Sequence, residues 1–260
     1  MKLSRVAVQL YSLRSHLATG AEARAALRRV RKIGYRGVEV AGLGDIPVSD
    51  LRAMLDDNGL LCCSTHEPGD RILGQTEQVA ERLHALGCTS TAYPFPRDVP
   101  LSTLRDVRRF AAGLDRSGKI LRAAGIELSY HHHDVELVRV GGKTILEWLM
   151  ELTDPENLRL ELDTYWAQAG GFDPAEMCRR YRGRIPLLHI KDYGVVAART
   201  PVFEEIGQGN LSWPGIVKAA DTAKTRWFIV EQDDNFDRGD PFRSIEQSFA
   251  YIKENLATEG

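Results

Sequence analysis

Three consecutive histidines, His131, His132 and His133, close the run that starts at Gly125, and Asp134 and Glu136 follow directly. Imidazoles and carboxylates at the end of a hydrophobic run form a donor set for a divalent cation or a proton-transfer pair. Similar residues end other apolar runs of the chain: Gln9, Glu39, His66, Asp163, His189 with Lys191, and Glu231. Asp163, His189 and Glu231, with one group from the histidine stretch, would make a mixed oxygen and nitrogen metal site. Three carboxylates and one imidazole suit Mn²⁺ first, with Mg²⁺, Co²⁺ and Zn²⁺ as alternatives to any thiolate-seeking metal. The competing account is that each residue only pairs with backbone or a neighbouring charge. That account must leave several buried carboxylates without a cation, at considerable cost.

The fourth ligand stays open at this stage. His131 and His133 share a face by period-two geometry, and Glu136 lies just beyond. Glu136 is the first choice, because another carboxylate completes an oxygen-rich site. His133 is then free to carry protons or touch substrate, and His132 points to the outer layer. Gln9, Glu39, His66, His131 and Lys191 are candidate substrate contacts, with Trp166 as an apolar wall for a sugar face. Lys191 could instead pair with Asp163 or Glu231, and Glu39 with His66.

The elements that must position these groups alternate along the whole chain. Strands are expected at Val6–Leu10, Gly37–Ala41, Leu61–Thr65, Cys88–Tyr93, Ile126–His131, Leu158–Asp163, Leu187–Lys191 and Trp227–Glu231. Between them lie amphipathic stretches at helical spacing, among them Ala21–Ile33, Ser49–Asn58 capped by Ser49, and Ser102–Ala124 with a break near Gly113. Strands separated by helices pair in parallel through right-handed crossovers. Repeated without an internal linker over 260 residues, the pattern predicts one α/β domain, a (β/α)8 TIM barrel spanning 1–260. An open doubly wound sheet is the alternative, but the first strand–helix turn holds no G-x-G-x-x-G. In a barrel the polar strand ends gather at the carboxyl-terminal mouth, where active sites of this fold sit. The aperiodic segment Tyr193–Leu211 reads as a loop that its Gly207-Gln208-Gly209-Asn210 could close over a substrate.

The formal net charge of −2 and the lack of a long basic run argue against nucleic-acid binding. No apolar run is long enough for a membrane span, and Met1–Leu13 does not read as a secretory signal. Cys62, Cys63, Cys88 and Cys178 form no C-x-x-C pair, so reduced thiols and a cytoplasmic location are expected.

At these residues the chain resembles the sugar phosphate isomerase/epimerase family of xylose isomerase-like TIM barrels. The carriers are Val8–Arg14, Gly34–Glu39, Tyr130–Glu136, Leu162-Asp163-Thr164, His189–Asp192, Gly207-Gln208-Gly209 and Val230–Asp233. The resemblance implies a divalent metal held by Glu136, Asp163, His189 and Glu231. It implies a sugar as partner, with homodimers or homotetramers common. The strand-five motif resembles the family's Tyr-His-Asn-His-x-x-Glu, with His132 in place of Asn, and the histidine triplet also resembles the inosose dehydratase branch.

The expected function is isomerisation or epimerisation of a ketose or keto-sugar through an enediolate, with Glu136, Glu231 and His133 as catalytic groups. Inosose dehydratase-like or 3-keto-glycoside lyase chemistry would share the first step. An endonuclease IV-like DNA-repair enzyme is disfavoured by the charge, and a non-catalytic sugar-binding barrel is the third class.

Overall fold

The computed structural model describes residues 1–258. Its centre is a closed barrel of β1 (Val6–Gln9), β2 (Gly37–Val40), β3 (Leu61–His66), β4 (Ser90–Tyr93), β5 (Glu127–His131), β6 (Arg159–Asp163), β7 (Leu187–Ile190) and β8 (Trp227–Val230). Each strand pairs in parallel with its sequence neighbours, and β1 closes on β8 through Val6↔Phe228. The expected TIM barrel is therefore the fold, with strand ends within two residues of those read from the pattern. Outward residues such as Val6, Val8, Val38, Leu160 and Leu188 are buried under the helical layer in one continuous core. Ala7, Cys63, Leu187 and Ile229, with Trp227 against them, form a separate apolar plug inside the barrel.

The helices follow from local chemistry. Thr19 and Glu22 make a reciprocal capping box on α1 (Gly20–Ile33), and α2 spans Val48–Asp57. The next two are α3 (Gly69–Gly74) and α4 (Thr76–Leu86), followed by α5 (Leu104–Ala123). Helix α5 runs unbroken through Gly113, contrary to the expected break, because this glycine is buried against the core side of an otherwise regular amphipathic helix. Thr144 and Glu147 cap α6 (Ile145–Leu152) in the same way as α1. Ser49 is not the cap of α2: Pro47 holds that position and makes no side-chain cap.

Two departures bear on the site. The β2–β3 register steps from Val38↔Cys62 to Glu39↔Ser64, so Cys63 is an extra, bulged residue. Strict alternation would put Cys62, Ser64 and His66 on one face. The bulge instead turns Cys63 into the interior plug and leaves Cys62 against the outer core. The segment after β7 is also more ordered than its aperiodic sequence suggests. Asp192–Val195 and Pro201–Glu204 form an antiparallel hairpin.

No helix among the described residues is long and apolar enough to cross a membrane.

Candidate active site

Strands β5 to β8 bring His131, Asp163, His189 and Glu231 together at their carboxyl-terminal ends, with one possible ligand atom from each lying within 4.8 Å of the others. All four are buried. His189 Nδ1 lies 2.9 Å from Glu231 Oε2 and 3.8 Å from Asp163 Oδ2, and His131 Nε2 lies 3.4 Å from Asp163 Oδ2. Asp163 also caps the short helix α7 (Thr164–Ala169) by accepting from Trp166 N through Oδ1, which holds Oδ2 toward the site.

His189 belongs to a second quartet, deeper in the barrel, with Glu39, His66 and Glu161. Its Nε2 is 2.6 Å from Glu39 Oε2, while His66 Nε2 is 2.7 Å from Glu161 Oε2. Glu161 carried no signal that separated it from Asp163: both sit on the inward face of β6, and only the depth of the barrel distinguishes their roles.

Glu136 is not part of either quartet. Its side chain is fully buried on the other side of the barrel wall, where Oε1 accepts from the Tyr130 hydroxyl at 2.8 Å and Oε2 from His133 N at 2.7 Å. Tyr130 alternates with His131 on β5 and faces the helical layer, stacked on Tyr93 and edge-on to Phe110. A carboxylate tied to that tyrosine cannot also face the interior. This corrects the expectation that Glu136 is a ligand and catalytic base: the structure offers His131 as the strand-five member. His132 is structural as expected, accepting from Asp163 N through Nε2.

The donor set fits a divalent cation. Two carboxylates and two imidazoles converge, with His131 Nε2 and His189 Nδ1 facing the oxygens of Asp163 and Glu231. His131 Nδ1 and, in the deeper quartet, Glu39 Oε1 and Glu161 Oε1 are buried without a hydrogen-bond partner. Exchanging a carboxylate for an imidazole moves the preference from Mg²⁺ toward Mn²⁺, Co²⁺ or Zn²⁺.

Lys191 continues β7 and is buried at the cavity floor. Its Nζ lies 2.6 Å from Glu231, 2.9 Å from Asp233 and 3.2 Å from Asp163. The anticipated ion pairs with Asp163 and Glu231 are thus present, as is contact between His66 and Glu39 at 3.4 Å. Above the floor opens a cavity of about 890 Å³. Gln9, His66, His131, His133, Lys191 and Glu231 line it, whereas Glu39, Asp163, His189 and Trp166 lie behind that surface. His133 packs edge-on to Phe95 and against Trp166, so these three form one aromatic wall.

Electrostatics separate the groups. Burial lowers His131 to about 4, reinforced by the neighbouring His189, so it is a neutral imidazole with a lone pair to give. Burial and His131 also drive His133 well down, which makes it a poor proton donor near neutrality. Burial alone would raise Glu231, but Lys191 and His189 outweigh it and hold the carboxyl well below the usual range. Burial would likewise lower Lys191, yet Asp163, Asp233 and Glu231 hold the ammonium charged.

The hairpin after β7 is anchored by Asp192, whose carboxylate accepts from the backbone N–H of Gly207, Gly209 and Leu211 and from Trp213 Nε1. A Cβ on Gly209 would meet Asp192 Oδ1 at 2.5 Å. The glycines of this segment therefore allow close packing around a buried carboxylate; they are not hinges of a closing loop.

A closed parallel barrel with its converging carboxylates and imidazoles at the carboxyl ends of the strands defines a class of TIM barrel whose site lies at the mouth. The chain belongs to the xylose isomerase-like TIM barrel family, which it matches over residues 27–255. It is 27% identical to an inosose dehydratase of Geobacillus kaustophilus (strain HTA426) over 263 residues, covering 87% of this chain and 85% of the relative. Its structure is similar to that of a sugar phosphate isomerase/epimerase from Parabacteroides distasonis ATCC 8503, with a TM-score of 0.84 at 26% identity, covering 98% and 96% of the two chains. An L-ribulose 3-epimerase shares the fold, with a TM-score of 0.75 at 19% identity over 96% of this chain and 93% of that one.

Proposed function

We propose that the protein is a divalent-metal-dependent enzyme that removes the proton next to the carbonyl of a polyhydroxylated ketone and then expels the β-hydroxyl as water. The observation that carries this reading is a carboxylate, Glu231, lying 2.6 Å from a buried ammonium, Lys191, at the floor of the cavity. An ion held by His131, Asp163, His189 and Glu231 would supply Lewis-acid polarisation of the carbonyl and stabilise the enediolate charge, and Mn²⁺ remains the first choice. Glu231 takes the carbon-bound proton. Lys191 donates a proton to the departing β-hydroxyl, so the C–H and C–O bonds break, a C=C bond forms and water leaves. The proton then passes from Glu231 to Lys191, 2.6 Å away, and restores both groups. His133 and Phe95, backed by Trp166, offer the apolar wall for the ring face of a small sugar or polyol.

Epimerisation or isomerisation is the second reading, favoured by the likeness to the sugar phosphate isomerase/epimerase. Epimerisation needs proton transfer on both faces of the substrate carbon. With Glu136 behind the wall and His133 neutral, neither of the other two groups expected to carry protons is placed to serve the face opposite Glu231, which favours elimination. Small-molecule chemistry in a cytoplasmic, non-membrane setting, without nucleic acid and as a homodimer or homotetramer, completes the proposal.

The test is a screen for solvent-deuterium exchange in D₂O with Mn²⁺ over ketoses, inososes and 3-keto-glycosides. Glu231→Gln should lower exchange by about 10²- to 10⁴-fold while the fold survives. Exchange unchanged in this variant would remove Glu231 from the chemistry. An unsaturated product indicates dehydration, whereas a returned stereoisomer supports the second reading.

A further inference from the structure

The hydrogen bonds beneath the site have directions that can be read one by one. A backbone amide only donates, so Tyr11 N, 2.9 Å from Gln9 Oε1, fixes which end of the Gln9 amide is oxygen. The Gln9 NH₂ then faces Glu39 Oε2 at 3.0 Å and His66 Nδ1 at 3.3 Å. An NH₂ cannot accept, so His66 Nδ1 is the acceptor, and His66 Nε2–H is left to donate to Glu161 Oε2 at 2.7 Å. Glu39 is a carboxylate acceptor, and the nitrogen that donates to it, at 2.6 Å, is His189 Nε2. His189 Nδ1 also meets a carboxylate, Glu231 Oε2 at 2.9 Å, so without an ion the ring donates from both nitrogens. An ion that took up Glu231 and Asp163 would displace the Nδ1 proton, while Glu39 keeps the one on Nε2.

We infer that Gln9 and Glu39 are positioning residues: a relay from the Tyr11 backbone amide holds the proton of His189 on Nε2 and directs Nδ1 to the metal. This rests on the metal reading above and reassigns two residues expected to touch substrate. The same relay explains why one of two adjacent quartets takes the ion. In the deeper one both imidazoles meet a carboxylate through Nε2, at 2.7 Å and 2.6 Å, and neither carboxylate lines the cavity, whereas His131 and Glu231 of the upper quartet do. A carboxylate that accepts from the far nitrogen of a ligating imidazole orients the ring and raises its basicity.

The experiment is a Mn²⁺ titration of the purified, chelator-stripped chain, with circular dichroism as a check on folding. Glu39→Gln places an NH₂ where a carboxylate accepted, and should weaken Mn²⁺ by about ten- to a hundredfold. Glu39→Asp keeps the acceptor and should recover part of that loss, which a simple packing role would not predict. In the Zn²⁺-loaded wild type, ¹⁵N-histidine NMR should show one ring protonated on Nε2 and coordinated through Nδ1. If Asp163→Asn and Glu231→Gln lose Mn²⁺ while Glu39→Gln binds as wild type does, the relay is overturned and the metal reading stands. If binding is lost in Glu39→Gln and Glu161→Gln but kept in Glu231→Gln, the ion sits in the deeper quartet and both fall.

Discussion

Glu136 and Glu161 are both fully buried glutamates within reach of the histidine-rich end of β5, yet they behave in opposite ways. Glu136 lies outside the barrel wall, between two neutral donors, Tyr130 Oη and His133 N. Burial pushes its carboxyl from 4.5 up to about 7, and the two hydrogen bonds offset only part of that rise. Glu161 lies inside the wall, facing His66 and His189. Burial would raise it too, but the two imidazoles outweigh burial and hold it well below the usual carboxylate range. Burial therefore does not decide the charge of a carboxylate here. The face of the strand it serves does, because that face selects its partners.

The largest expected effect that tests this contrast is on Glu161. Glu161→Ala removes the carboxylate that His66 Nε2 meets at 2.7 Å, leaves that ring only the more distant Glu39 at 3.4 Å in a dry interior, and should cost about 3–5 kcal/mol by chemical denaturation. A loss near the value for a surface glutamate would mean the pair contributes little charge stabilisation.

Glu136→Gln should act through pH instead. A folded-state pKa above the unfolded value gives stability that is complete below 4.5 and is lost as pH rises through about 7. Glutamine does not titrate, so between these pH values the wild type should lose about 2–3 kcal/mol of stability relative to the variant, followed by urea melts. A gap independent of pH would show that Glu136 is already ionised. The same variant should bind Mn²⁺ as wild type does, and a lost ion would return Glu136 to the site.

The smallest effect belongs to Tyr130→Phe, which removes one donor from Glu136 and should cost about 1 kcal/mol, with metal binding unchanged.

Much of this contrast was invisible in the chain itself. The strand–helix alternation made the barrel legible, since period-two apolar runs and capped amphipathic helices leave few other ways to bury their faces. Asp163, His189 and Glu231 were legible for the same reason: each ends an inward-facing strand set. Glu136 misled because a carboxylate in a loop can turn either way, and its direction depends on Tyr130, whose packing against Tyr93 and Phe110 comes from other strands and helices. Glu161 and Asp163 could not be told apart, because strand parity places a residue on a face but says nothing of its height among eight staggered strands. The bulge at Cys63 was equally hidden, since an extra residue leaves no mark on composition.

The histidine stretch shows where the division falls. Sequence alone determined that imidazoles and carboxylates would gather at one end of a parallel barrel, because local periodicity dictates which side of each strand faces inward. Tertiary structure decided that His131, and not Glu136, joins Asp163, His189 and Glu231. It also decided that His189 would meet a carboxylate on each ring nitrogen. Those contacts join residues 42 and 150 positions apart, and only closure of the barrel brings them within hydrogen-bond range.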